Sequence, residues 1–236
     1  MKYNKIEQAV FLERPNRFIA YAELNGERVK CHVKNTGRCR ELLIPEKTVV
    51  YLEDHGTETK RATRYSLITV EKTDSEGRCR MINMDSQAPN QIAWEWINMG
   101  KFREGITDLR KEQKFGNSRF DLAYECRDGK KGYVEVKGVT LEDHNIVRFP
   151  DAPTERGIKH IHELMAARNA GFEATLLFVV QMKDVMWLEP NYATHAAFGE
   201  ALLQAKAAGV QICAIDCHVT PDSLTPGEPV LVRLLQ

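Results

Sequence analysis

Short apolar runs alternate with turn residues through the first 85 residues of the chain. These runs are rich in Val, Ile, Tyr and Phe, a composition typical of β-strands. Asn25-Gly26 separates two of them and is a dipeptide that favours two-residue hairpins. Strands this short, with no helical period between them, predict a small antiparallel barrel. We assign strands to Gln8–Glu13, Phe18–Leu24, Arg28–Val33, Thr48–Glu53, Tyr65–Glu71 and Arg78–Met84.

The spacing of apolar positions lengthens after residue 85. Ile92 and Trp96 recur at helical spacing, and Glu173–Gln181 is a nearly continuous apolar run of the kind found in strands buried on both faces. The resulting order α-β-β-β-α-β-α-β predicts a mixed α/β domain. We therefore place a barrel domain at 1–85 and an α/β domain at 86–236. Helices are assigned to Pro89–Met99, Thr154–Asn169 and Tyr192–Ala208, and the other strands to Asp108–Phe115, Arg119–Cys126, Tyr133–Lys137 and Val210–Ile215.

Composition excludes several classes of protein. Hydrophobic residues make up 43% of the 236 residues and charged residues 28%, which rules out a disordered chain. Lys plus Arg and Asp plus Glu number 33 each, so net charge gives no indication of a nucleic-acid partner. The apolar run at 174–180 is far shorter than the ~20 residues of a membrane helix. The first residues, MKYNKIEQAVF, lack the apolar core of a secretory signal. We therefore expect a cytoplasmic protein without membrane contact.

Carboxylates and a lysine lie in the predicted hairpin around Asp128-Gly129. Because side chains alternate along a strand, Asp121 lies on the face opposite Phe120. On the partner strand, Glu135 and Lys137 share one face with Tyr133. Register can bring the two carboxylates and the lysine to one surface, as in a magnesium-dependent phosphodiesterase site. A solvated face carrying a Glu/Lys pair has the same pattern, so the spacing alone leaves both interpretations open.

Basic side chains cluster in the barrel half. Lys34, Asn35, Arg38 and Arg40 lie close together in sequence, and barrels of this type bind single strands by pairing a basic groove with aromatic platforms. A solvated basic face is the alternative. The candidate aromatic side chains are Phe18, Tyr21, Tyr51 and Tyr65.

The helix that begins near Thr154 carries three polar residues at i, i+4 and i+7, namely Arg156, His160 and Glu163. We expect them opposite the apolar stripe of the helix. They either line the cleft that holds the carboxylates and contact a phosphate, or they form a hydrated helix face.

Several strings resemble the sugar fermentation stimulation protein A family of bacteria and archaea. The resemblance runs from end to end of the chain, and the two longest strings are specific. They are Asn35–Arg38 (NTGR), Pro89-Asn90, Glu135–Leu141 (EVKGVTL) and Phe149–His160 (FPDAPTERGIKH).

The resemblance implies an OB-like antiparallel β-barrel followed by a restriction-endonuclease-like αβββαβ domain of the PD-(D/E)xK type. It carries the motif over as Glu95 from the first helix, Asp121, and then Glu135 and Lys137. Asp121 follows Phe120, where the motif is named for a proline. The family string also favours a functional role for Arg156 and His160.

From these observations we expect Mg²⁺ or Mn²⁺ at Asp121 and Glu135, with Glu95 assisting, and DNA as the partner. One alternative is a DNA-binding regulator of sugar (maltose) metabolism that keeps the nuclease fold without cutting. Another is a protein that binds or processes RNA. A homodimer is one option for the oligomeric state, which the sequence does not determine.

Overall fold

The computed structural model describes residues 1–35, 37–58, 60–73, 77–116 and 118–234. The described residues fall into two compact units. The first comprises Met1–Ala88, Gln181–Lys183 and Cys217–Thr225, and the remainder forms the second.

The first unit is a closed antiparallel barrel. Among the described residues its strands are β1 (Ile6–Glu13), β2 (Ile19–Leu24), β3 (Glu27–Val33), β4 (Val49–Asp54), β5 (Tyr65–Thr73) and β6 (Cys79–Asn83). Their order is β3-β2-β1-β4-β5-β6, and a parallel pairing of β3 with β5 closes the barrel. The predicted OB-like barrel is therefore confirmed. Its fully buried core includes Ala20, Ala22, Cys31, Val50, Leu52, Leu67 and Val70.

The predicted hairpin joins β2 to β3. Leu24 pairs with Glu27, so the turn contains only Asn25 and Gly26. Both turn residues have positive φ, 53° and 81°, which matches the twist of a two-residue hairpin and suits asparagine and glycine.

The second unit is built on a mixed sheet, of which residues 217–225 belong to the first unit. Its elements are α1 (Ala88–Asn98), β7 (Ile106–Phe115), β8 (Ser118–Cys126), β9 (Lys131–Val139), β10 (Glu142–Asp143), β11 (Ile146–Phe149), α2 (Glu155–Asn169), β12 (Glu173–Val180), β13 (Trp187–Pro190), α3 (Tyr192–Ala207), β14 (Gln211–Thr220) and β15 (Ser223–Val232). Within the described residues the strand order is β10-β11-β13-β15-β14-β12-β9-β8-β7. Strands β7, β8 and β9 are antiparallel, whereas β9, β12 and β14 are parallel. This is the predicted αβββαβ arrangement.

Four strands of this sheet were not predicted. Strands β10, β11 and β13 are too short to show a period of two, and β13 ends at Pro190. Strand β15 contains Pro226, Gly227 and Pro229, residues that normally argue against a strand. Strand β14 extends to Thr220, five residues beyond the predicted end.

Helix α2 begins where the sequence predicts. The hydroxyl of Thr154 accepts a hydrogen bond from the amide of Gly157 and caps the helix. Ile161, Leu164 and Ala167 form its buried face, and the helix packs on β12 and α3. In the described part of the chain, no helix combines the length and apolar character needed to cross a membrane.

Candidate active site and nucleic-acid interface

Strands β8 and β9 separate at Asp121. Their last backbone pair is Leu122 with Val134. Beyond that pair, the amide of Val136 donates to Oδ2 of Asp121 at 2.7 Å. The carboxylate of Asp121 thus takes the place of a main-chain acceptor and is held at the opening between the two strands.

The register of the two strands follows the predicted alternation. Ala123 of β8 pairs with Tyr133 of β9, and every second residue of β8 is buried from Phe120 to Cys126. Asp121 therefore lies on the same face of the sheet as Glu135, opposite the buried Phe120.

The other oxygen of Asp121 is bound by helix α1. The side-chain amide of Asn90 donates to Oδ1 at 2.8 Å. Burial raises the pKa of Asp121, and the nearby charge of Glu135 raises it further. A cation between the two carboxylates would favour the ionised form of Asp121.

Glu135 is the most buried member of the site, with 3% of its side chain exposed. Its Oε1 accepts from Nζ of Lys137 at 2.5 Å and contacts Nδ1 of His160. Burial by itself would raise the pKa of Glu135, but the hydrogen bond from His160 and the charge of Lys137 outweigh it and lower the pKa. The buried Oε2 of Glu135 has no hydrogen-bond partner among the described residues.

His160 connects α2 to the sheet. Its Nδ1 faces Glu135, while Nε of Arg156 lies 3.4 Å from its Nε2. The expected position opposite the apolar stripe is therefore wrong for His160, because only 13% of its side chain is exposed.

The structure brings together Asp121, Glu135, Lys137, His160 and Arg156, which the sequence analysis had named. Glu95 accepts a hydrogen bond from Gln91, one turn earlier on α1, at 2.9 Å. Asn90 of α1 is hydrogen-bonded to Asp121. Sequence reasoning did not name it as a site residue, although Pro89-Asn90 is one of the family strings.

The oxygen atoms of Asp121 and Glu135 supply some of the ligands that a hard divalent cation needs. Carboxylate oxygens are the ligands that Mg²⁺ and Ca²⁺ prefer, and a buried carboxylate oxygen such as Oε2 of Glu135 is costly to leave unsatisfied. Asp121 supplies a second carboxylate. Within the described ranges, however, no group of three or more His, Cys, Asp or Glu side chains is arranged to hold a metal ion. The cation would therefore need other oxygen ligands, such as water or a substrate phosphate.

The predicted basic cluster of the barrel divides into buried and exposed members. Nζ of Lys34 lies 2.8 Å from Oδ2 of the buried Asp85. Asn35 is also buried, and its side-chain oxygen accepts from the amide of Gly37 at 2.8 Å. Arg38 and Arg40 are exposed. Of the four named residues, these two arginines present their side chains to solvent.

The fold defines a class of protein with an OB barrel followed by a sheet domain that carries an Asp and a Glu-x-Lys pair. Family models agree with this division. The model of the SfsA N-terminal OB domain matches residues 12–78, and that of the sugar fermentation stimulation protein RE domain matches residues 87–223. The chain belongs to the sugar fermentation stimulation protein (SfsA) family.

Individual relatives cover the whole chain. A sugar fermentation stimulation protein homolog of Desulfitobacterium hafniense (strain Y51) is 52% identical over 236 residues, which is 100% of both chains. A homolog from Clostridium beijerinckii is 51% identical and covers 95% of this chain and 96% of its own. The structure of Pyrococcus furiosus SfsA in complex with Ca²⁺ superposes with a TM-score of 0.82 at 26% identity. That match covers 99% of this chain and 98% of the other.

Proposed function

We propose that this protein binds DNA and hydrolyses its phosphodiester bonds with the help of Mg²⁺ or Mn²⁺. One observation supports the proposal above all. Oε2 of Glu135 is buried without a hydrogen-bond partner in the described part of the chain, and the charge of Glu135 acts on the neighbouring carboxylate of Asp121. The Ca²⁺ complex of the Pyrococcus furiosus relative supports a divalent cation in the family. Calcium and magnesium both take oxygen ligands, so the same carboxylates can serve either ion.

Each residue of the site has a role in this reaction. Asp121 and Glu135 hold the cation, which when bound supplies Lewis-acid stabilisation of the charge that develops on the phosphate. Asn90 and the amide of Val136 fix the orientation of Asp121.

The cationic side chains act on the water and the phosphate. Lys137 positions the attacking water and stabilises negative charge near Glu135. His160 fixes the orientation of Glu135, and Arg156 contacts the scissile phosphate. The water oxygen forms the new bond to phosphorus as the bond to the departing sugar oxygen breaks.

The barrel supplies nucleic-acid affinity in this proposal. Arg38 and Arg40 are exposed and can contact phosphates. Binding through phosphate contacts releases counterions, so we expect affinity to fall steeply as salt rises.

The decisive experiment is cleavage of labelled single- and double-stranded DNA and RNA with Mg²⁺ or Mn²⁺. Asp121→Ala and Lys137→Ala are expected to abolish metal-dependent cleavage. Lys114→Ala removes an exposed lysine from β7 of the same unit and is expected to cleave like the wild type. Cleavage that survives both site variants would contradict the proposal. Comparison of the four substrates identifies the preferred nucleic acid.

A second candidate is a DNA-binding regulator of sugar (maltose) metabolism that does not cut. It is favoured by the limited donor set, since the described residues contain no third His, Cys, Asp or Glu placed to bind the metal. Here DNA binding persists without metal and in the Asp121→Ala variant, while no substrate is cleaved. An RNA partner would appear as stronger competition by RNA than by DNA in the same binding assay.

A further inference from the structure

Among the four aromatic side chains of the barrel that were candidates for base stacking, Phe18 is the exposed one. Its relative exposure is 52%, whereas Tyr51 and Tyr65 are each 8% exposed. The ring of Tyr21 is covered by the guanidinium of Arg28, whose central carbon lies 4.2 Å from the ring centroid. A large apolar ring left in water forgoes the free energy of burial and is available to a ligand.

The backbone of Phe18 is fixed on both sides. Its amide donates to the side-chain oxygen of Asn16 at 2.9 Å, and its carbonyl accepts from the amide of Val33 at 2.8 Å. The ring is therefore presented from a rigid segment. A rigid platform loses little entropy when a ligand stacks on it.

Arg14 joins the segment that carries Phe18 to the loop after β3. Its Nη2 donates to the carbonyl oxygens of Arg17 and Asn35, at 2.7 and 2.6 Å. Its Nη1 donates to those of Gly37 and Arg38, at 2.7 and 2.8 Å. One half-buried guanidinium thus holds both loops together.

The two loops that Arg14 ties together also carry exposed positive charge. Arg17, Arg38 and Arg40 are exposed, and the two loop segments, 14–18 and 34–40, contain no Asp or Glu in their sequence. An exposed aromatic ring with exposed arginines on the same pair of tied loops complements a base with neighbouring phosphates. An apolar protein partner or a lipid tail would not need the charges.

We propose that Phe18 is a stacking platform for an unpaired base, and that Arg17 and Arg38 bind the phosphates next to it. The ligand is single-stranded nucleic acid, DNA or RNA, since both offer bases and phosphates. This inference rests on the nucleic-acid binding in the proposed function and adds the strandedness and the contact residue. A paired base is already stacked within its duplex, so a continuous duplex cannot use the platform.

The test is fluorescence anisotropy of labelled oligothymidylate of about 12 nucleotides, within the span of one such barrel, in EDTA. Phe18→Ala should bind about tenfold more weakly than the wild type, and Phe18→Trp at least as tightly as the wild type. Ile44→Ala removes another exposed apolar side chain of the same unit and should change nothing. An abasic strand of the same length should bind wild type and Phe18→Ala equally, because it keeps the phosphates and lacks the bases. Oligouridylate in parallel distinguishes RNA from DNA.

Two results would overturn the inference. If the wild type binds oligothymidylate and Phe18→Ala binds it equally, the platform is wrong while the proposed function stands. If Phe18→Ala weakens binding of a blunt duplex as much as it weakens binding of oligothymidylate, stacking on an unpaired base is excluded as the cause. If the wild type binds no strand at all, the nucleic-acid binding of the proposed function fails together with the platform.

Discussion

The side-chain amide of Asn90 donates to Oδ1 of Asp121 at 2.8 Å, and this bond links the first turn of α1 to the point where β8 leaves β9. Since Oδ2 is already engaged by the amide of Val136, the carboxylate is held from two sides. Hydrogen-bonding partners of this kind fix the direction in which a ligand oxygen points.

We predict that Asn90→Ala weakens divalent-cation binding by about 10- to 100-fold without unfolding the protein. The reason is that Asp121 then keeps only one of the two hydrogen bonds that orient its carboxylate. Calcium titration calorimetry measures the affinity, and circular dichroism checks the fold. Asn98→Ala is the matched control, since the amide of Asn98 donates to the carbonyl of Trp94 within the same helix. Unchanged calcium affinity in Asn90→Ala would show that the bond has no part in metal binding.

The contact of Asn90 shows where sequence reasoning reached its limit. The helical period predicts α1, but it does not determine which residue of α1 faces the sheet. Asn90 and Glu95 are five residues apart and therefore lie on different sides of the helix, at about 100° per residue. The motif directs attention to Glu95, whose role stays a prediction, whereas the structure brings Asn90 to Asp121.

Patterns of period two and 3.6 predict the barrel and the αβββαβ order, because those patterns come from burial of whole faces. The pattern does not locate the end of the β8–β9 pairing at Asp121, and it does not place Lys34 beside Asp85, since each depends on contacts between residues far apart in sequence. Glu135 and Lys137 were predictable together because they are two apart on one strand.

The raised pKa of Asp121 leads to a prediction about stability. Burial and the charge of Glu135 disfavour ionised Asp121, so the charged carboxylate costs stability in the absence of metal. Asp121→Asn removes the charge and keeps the shape, and we expect it to stabilise the metal-free protein by about 1 kcal/mol. Thermal unfolding in EDTA measures this. Added Ca²⁺ should raise the melting temperature of the wild type and leave that of Asp121→Asn unchanged.

The control is Asp108→Asn, which neutralises a carboxylate of β7 that pairs with Arg110. It should retain the calcium-dependent rise. A lower melting temperature of Asp121→Asn in EDTA would mean that its hydrogen bonds outweigh the repulsion.

Acid stability of the barrel depends on Asp54. Arg64 donates to both of its oxygens, at 2.7 and 2.6 Å, and the amide of Gly56 donates to Oδ1. The bond from Arg64 is the main cause that lowers the pKa of Asp54 to about 2. Because the folded pKa lies below the unfolded value of about 3.9, this contribution to stability is present above pH ~4 and is lost as the pH falls towards 2.

We therefore predict that Asp54→Asn lowers the free energy of unfolding at pH 7 and converges with the wild type near pH 2. Urea unfolding across this pH range measures the difference. For the control Glu23→Gln, at an exposed position of β2, the free energy of unfolding should change with pH as it does for the wild type. A difference between Asp54→Asn and the wild type that stays constant from pH 7 to pH 2 would exclude the ionised pair as its source.

A substitution at Lys137 can distinguish cation binding from cleavage of the nucleic acid. Its Nζ lies 2.5 Å from Oε1 of Glu135, so its ammonium competes with a divalent cation for that carboxylate. Lys137→Met removes the charge and keeps much of the side-chain volume. We expect Ca²⁺ to bind at least as tightly to this variant, while cleavage in Mg²⁺ falls by about 100-fold or more because the group that orients water and stabilises charge is gone. Calorimetry and a cleavage assay on the same preparation give the two values, with Lys114→Met as the control. Parallel loss of calcium binding and cleavage would instead assign Lys137 a structural role in holding Glu135.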